Sequence, residues 1–169
     1  MLRSAALLRC ACSDGGGNWR WRHVRRGDVA RSYIAAYSSA DWDGMAALMS
    51  EDVEFVDRTN PDPNAIPVYR GRSAVLAMLH EFGETGGVVE LGFDFPQEFE
   101  SNGIAVFSGR VNTLSVAPGA SIGYRWRADQ VIALTVRDGK VVRHEDFADY
   151  AHAVIETVQV QETTQKAVD

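Results

Sequence analysis

The sequence predicts an α+β fold in which a cone-shaped, curved antiparallel sheet is packed by N-terminal helices around an apolar pocket. Three observations carry this. Apolar stripes at helical spacing are confined to the first half of the chain, up to Phe82. Four long runs suited to strands follow without a helical interruption, and the last two are joined by Asp138-Gly139, a strong tight-hairpin signal. Helices first and then a meander of long strands is the order of a layered fold with helices segregated onto one face of a curved sheet.

The elements follow in order. Asp28 is a plausible N-cap, and Val29, Tyr33, Ala36 and Tyr37 recur at helical spacing through Ala40. Asp41 caps a short second helix with Trp42, Met45, Leu48 and Met49 as its apolar residues, broken at Ser50–Asp52. Val53–Arg58 alternates as a strand, with Val53, Phe55 and Asp57 on one face. Thr59–Tyr69 contains Pro61, Pro63 and Pro67 and reads as loop. Gly71 and Ser73 introduce a third helix whose buried stripe is Val75, Leu76, Leu79 and Phe82, ended by Gly83, Gly86 and Gly87. The strands are then Val88–Phe95, Ile104–Val116, Ile122–Val136 and Val141–Phe147. Asp149 is expected to cap a terminal helix reaching about Val158.

Charge divides the chain. Residues 1–26 hold six arginines against one acid, Asp14, a local +5, which leaves −11 on the remainder of a chain whose net charge is −6. The expected organisation is a basic disordered leader over 1–27, a folded domain over 28–158 and a polar tail over 159–169. The leader is open to two readings, an organelle transit peptide or a nonfunctional extension from an upstream start; its apolar stretch Ala5–Leu8 is too short for a secretory signal. The only cysteines, Cys10 and Cys12, lie in that leader, a spacing poor for a disulfide. A cysteine-free domain fits a cytoplasmic setting. Net negative charge argues against a nucleic-acid partner, and no apolar run approaches a membrane span. His23, His80, His144 and His152 are scattered without ligand spacing, and no glycine-rich phosphate loop follows a strand. Neither a metal nor another cofactor is expected.

Two stretches carry a resemblance. The first is Tyr33-Ile-Ala-Ala-Tyr37, then Asp41-Trp-Asp-Gly-Met-Ala-Ala-Leu48, Asp52-Val-Glu-Phe-Val-Asp57 and Tyr69-Arg-Gly-Arg72, which look like the opening of a ketosteroid isomerase. The second, Asp138-Gly-Lys-Val-Val-Arg-His-Glu-Asp-Phe-Ala-Asp-Tyr150, looks like the closing strand of SnoaL-like polyketide cyclases and limonene-type epoxide hydrolases. Over about Val29–Tyr150 the chain resembles the nuclear transport factor 2-like superfamily. The motifs specify the fold better than the reaction, since this fold hosts many functions.

The resemblance and the strand faces together nominate site residues. Asp57, just before the proline-rich loop, matches the isomerases' general base; its bland role is a loop cap or a partner for Arg58. Tyr33 matches their oxyanion-stabilising tyrosine, or is simple core. His144 and Asp146 share a face of the last strand with Val142, opposite Arg143, Glu145 and Phe147; Asp146 matches an acid of the cyclases and epoxide hydrolases. Arg110 and Asn112 form another same-face pair, similar to the Arg-x-Asp of the epoxide hydrolases, although that family's aspartate is asparagine here. Phe55 and Trp126 are candidates to line a pocket for a flat substrate. On the strand Ile122–Val136, Tyr124, Trp126, Ala128, Gln130, Ile132, Leu134 and Val136 define a buried face, and its charged reverse is where the superfamily often packs a second subunit. The resemblance therefore implies a homodimer.

These residues point to cofactor-independent acid–base chemistry on a small hydrophobic carbonyl compound, by isomerisation or aldol-type cyclisation. Asp57 or Asp146 would be the base, with Tyr33, Arg110 and His144 donating to the oxyanion. The alternatives are epoxide hydrolysis, with Asp146 activating water beside Asn112, and a noncatalytic small-molecule-binding module.

Overall fold

The computed structural model describes residues 26–59, 62, 64–85 and 87–159. The leader up to residue 25 and the tail from residue 160, with both cysteines, lie outside the described residues. Arg26 and Gly27, assigned to the leader on sequence, already form the first turn of helix α1 (Arg26–Ser38). Val29, Ala30, Tyr33, Ile34 and Tyr37 are the buried face of that helix. It ends where Ala40 takes a left-handed conformation (φ 54°). Asp41 then caps α2 (Trp42–Leu48), accepting from the Gly44 N–H at 2.9 Å.

Strand β1 (Met49–Arg58) starts directly at the end of α2, so Ser50–Asp52 belongs to the strand. Within the loop expected over Thr59–Tyr69, a short strand β2 (Val68–Arg70) pairs antiparallel with β1. Helix α3 (Arg72–Thr85) buries Val75 and Leu79, while Phe82 is 44% exposed near its end.

Strand β3 (Val88–Ser101) runs past the expected end at Phe95 because Pro96 sits in a register shift between Asp94 and Gln97, where its missing N–H costs no ladder bond. The bend brings β3 onto Gly109 of β4 (Ile104–Val116), where a Cβ would meet the Asp94 carbonyl oxygen at 1.9 Å. The two strands turn at Asn102-Gly103, and β5 (Ile122–Arg137) meets β6 (Lys140–Ala148) at Asp138-Gly139; all four turn residues have positive φ. Such turns match the twist of the strands they join.

The expected terminal helix is not formed. Asp149 caps only a single 3₁₀ turn (Tyr150–His152), after which Val154–Gln159 forms β7. The long strand β5 explains this: β6 covers its Gln130–Arg137 edge, and β7 covers the remaining Ile122–Arg127 edge. Val154, Ile155, Thr157 and Val158 are β-branched and suit that pairing.

The sheet order is β2-β1-β6-β5-β4-β3, and it is mixed, because β1 runs parallel to β6. Helix α1 packs across β3 to β6, and α3 touches β1, β2 and β3, bridging the two open ends of the curved sheet. The core lies between helices and sheet, with Ile132, Leu134 and Val136 of β5 meeting Val29, Tyr33, Met45 and Val75. Full burial of each large aliphatic side chain contributes about 1.5–3 kcal/mol. None of the described helices is long and apolar enough to cross a membrane.

Candidate active site

Strand phase decides which polar groups face inward. On β6, His144 and Asp146 are buried, while Arg143 and Glu145 point outward and pair with Glu54 and Arg58 of β1. The inward residue before them is Val141, not Val142, because the β5–β6 ladder slips by one residue between Thr135 and Val136. Parallel pairing sets Phe55 beside His144 and Asp57 beside Asp146. Two carboxylates thus stand level on neighbouring strands, which are about 4.8 Å apart in any sheet.

A continuous hydrogen-bonded chain holds the buried pair. The Tyr33 hydroxyl lies 3.0 Å from His144 Nδ1, His144 Nε2 lies 2.6 Å from Asp146 Oδ1, and the Tyr37 hydroxyl donates to Asp146 Oδ2 at 3.3 Å. Burial, and after it the negative charge of Asp146, holds both phenols well above the usual tyrosine range, so each keeps its proton. One assignment uses every donor. Tyr33 O–H donates to Nδ1, and Nε2–H donates to Asp146. The imidazole is packed by the rings of Phe55 (centroids 4.2 Å apart), Tyr37 (5.2 Å) and Tyr33 (5.5 Å).

Asp146 ends this chain at an open-mouthed cavity of about 250 Å³ lined by β1, α1, α3 and the inner faces of β3 to β6. Its walls are mostly apolar, with Phe55, Leu79, Phe93 and Trp126 among them. Asp57, Asp146, Tyr37 and Gln130 supply polar edges, and the Tyr150 ring lies tilted beside Trp126, ring centroids 6.1 Å apart. The two carboxylates are held differently. Asp57 Oδ1 accepts from the Thr59 N–H at 2.9 Å and from its hydroxyl, so that carboxylate also shapes the loop. Asp146 is 3% exposed and is oriented by two side chains that pack in the core.

The sequence reading placed several residues differently. Neither Tyr33 nor His144 lines the cavity; the Tyr33 hydroxyl is spent on His144, so His144 and Asp146 both stand between it and the cavity. Arg110 and Asn112 do share a face, but it is the outer one. Arg110 is two-thirds exposed and pairs with Asp129 at 3.3 Å, and Asn112 accepts from Arg125 at 3.1 Å. The inward set on β4 is Ala105, Phe107, Val111 and Thr113. Phe55 and Trp126 are both in the cavity wall.

Two polar residues gain importance. Tyr37, four residues after Tyr33 on the same helix face, reaches the cavity-lining carboxylate of Asp146, which Tyr33 does not. Gln130 is 5% exposed, lines the cavity, and its Oε1 accepts no hydrogen bond from the protein. Leaving such an amide unpaired costs about 1–3 kcal/mol, which a bound polar group could recover. Its sequence signal was a lone amide on an otherwise apolar strand face. No cluster of three or more His, Cys, Asp or Glu suited to a metal occurs among the described residues.

The SnoaL-like domain profile matches residues 30–144. The chain is 30% identical over 123 residues to the ECF RNA polymerase sigma factor SigJ of Mycobacterium tuberculosis, across 72% of this chain but only 37% of the sigma factor. It therefore spans little more than a third of that relative's length. It is 25% identical over 130 residues to the aklanonic acid methyl ester cyclase DauD of a Streptomyces species, covering 73% of this chain and 75% of the cyclase. Among solved structures, an NTF2-like protein of unknown function from Burkholderia pseudomallei superposes with TM-score 0.61 at 20% identity, over 75% of this chain and 92% of that one. TerC, co-crystallised with polyporic acid, gives TM-score 0.60 at 20% identity, over 75% and 92%. These likenesses establish the nuclear transport factor 2-like fold, and the profile match over most of the domain establishes that the chain belongs to the SnoaL-like family.

Proposed function

We propose that the protein is a cofactor-independent cyclase that closes a ring by an intramolecular aldol reaction on an aromatic, polyketide-type β-keto ester. The observation carrying this reading is Asp146, a buried carboxylate oriented by His144 and Tyr37 that opens onto an apolar cavity. Similarity to a methyl ester cyclase supports the reaction class. Asp146 takes a proton from the carbon between two carbonyls, and the C–H electron pair becomes an enolate. That carbon attacks a second carbonyl of the same molecule, a C–C bond forms, and the new alkoxide receives the proton back from Asp146. Atoms balance with no co-reactant. Gln130 is the group suited to donate to the enolate oxygen, since its amide oxygen and nitrogen can exchange places by rotation about the terminal bond.

Epoxide hydrolysis loses its supporting residues, because Arg110 and Asn112 lie on the outer face. A second copy of the chain remains the expected partner for that face, and the chemistry needs nothing from it. The test is turnover of an aromatic β-keto methyl ester bearing a neighbouring ketone. General acid–base catalysis is worth about 10²–10⁴-fold, so Asp146→Asn should lose at least ~10² in kcat while ligand still quenches tryptophan fluorescence. Turnover within threefold of wild type would remove Asp146 from the chemistry. Tight binding with no turnover by the wild type would favour a ligand-binding module.

A further inference from the structure

The cavity that holds Asp146 is small for its proposed task. Ligand pockets usually span about 300–1,000 Å³, and this one is about 250 Å³. A second concavity of about 400 Å³ lies beside it, lined by Ser38 and Trp42 at the α1–α2 corner, Phe82 and Gly83 at the end of α3, and Val89 and Leu91 at the start of β3. Phe82 and Leu91 belong to both walls. Tyr37 in the cavity and Trp42 in the groove also approach each other, ring centroids 6.4 Å apart. The two spaces are therefore neighbours divided by a few side chains, and Phe82, 44% exposed near the end of α3, is a large aromatic left at the junction.

Resting on the cyclase reading, we infer that this groove is a second compartment of the same site and holds the flat, uncharged distal end of a multi-ring substrate whose reacting end faces Asp146. Its lining fits such an occupant. Phe82, Trp42, Leu91 and Val89 offer apolar and aromatic surface, which suits ring stacking. The one acid there, Glu90, is paired with Arg125 at 2.8 Å and so offers no free charge to a cationic ligand. Sharing Phe82 and Leu91 with the cavity wall distinguishes the groove from an isolated surface patch.

Two substitutions fill the groove without touching the cavity wall. Gly83→Arg enters open space, since a Cβ there meets nothing within 4 Å, and Val89→Arg replaces a side chain that is 60% exposed. The probes are a two-ring naphthoquinone, short enough for the cavity alone, and a linearly fused four-ring naphthacenequinone, each titrated by tryptophan quenching. The wild type should bind the four-ring compound at least ~tenfold more tightly. Each substitution should remove most of that preference while leaving the two-ring affinity within about twofold, which also reports that the fold is intact. Equal affinity of the variants and wild type for the four-ring compound, or equal losses for both compounds, would overturn the groove and leave the cyclase reading standing. Failure of both compounds to bind the wild type would overturn the two together.

Discussion

Replacing Tyr33 with phenylalanine isolates the buried chain that positions Asp146. The substitution keeps the ring in the core and removes only the hydroxyl that lies 3.0 Å from His144 Nδ1. His144 is fully buried, and the rings of Phe55, Tyr33 and Tyr37 pack around it, so no solvent is at hand to replace the donor. An unpaired buried acceptor costs about 1–3 kcal/mol. For a domain of this size each kcal/mol corresponds to about 4 °C, so the melting temperature should fall by ~4–12 °C. Urea unfolding followed by tryptophan fluorescence gives the same quantity as a shifted midpoint at unchanged slope. Combining Tyr33→Phe with His144→Phe completes a double-mutant cycle, and the two should couple by about 1–3 kcal/mol, since they share one bond. A cost below about 0.5 kcal/mol for Tyr33→Phe, or strict additivity in the cycle, would mean that the hydroxyl does not serve the imidazole.

Two further outcomes follow from the same packing. Tyr33 and Tyr37 keep their protons to a higher pH in the folded state than in the unfolded chain. Their contribution is fully present below about pH 10 and is lost above it, as the unfolded phenols ionise first; stability should fall by ~1.4 kcal/mol per pH unit for each, and Tyr33→Phe with Tyr37→Phe should flatten that alkaline slope in denaturant titrations. Gly109→Ala would force a Cβ against the backbone of Asp94, so it should cost at least ~1–3 kcal/mol, whereas Gly83→Ala on α3 has open space and should be neutral or stabilising by thermal melts.

Much of this arrangement was legible in the residue order because period-two alternation survives where a strand is buried on one face. His144 and Asp146, two apart, had to point the same way; that this way is inward comes from their pairing with the buried Leu134 and Ile132 of β5. The alternation misled where an extra residue entered a ladder, as at Val142, or where a strand is apolar on both faces. Ile104–Val116 is of that kind: Val106 and Val111 sit at opposite parities, so Arg110 and Asn112 could be placed on either face. What decides is Gly109, whose missing side chain admits the bent strand β3 on the inner side, and that contact is more than ten residues away in the chain. Nonlocal pairing likewise overrode the helix expected after Asp149, because an unpaired stretch of β5 was waiting for a partner. Tyr37 and Gln130 were visible as residues, but their roles depend on which polar atoms the fold leaves unpaired.

Asp146, in the proposed mechanism, is the group that receives the carbon-bound proton. An aromatic β-keto methyl ester lacking the second carbonyl cannot cyclise, yet it can still lose and regain that proton. Incubated in deuterated water and followed by proton NMR, it should exchange its central C–H faster with the wild type than without protein. The increment should fall at least ~10²-fold in Asp146→Asn and persist in Arg110→Ala. Exchange by Asp146→Asn at the wild-type rate would contradict the assignment of the base, whatever the fold around it.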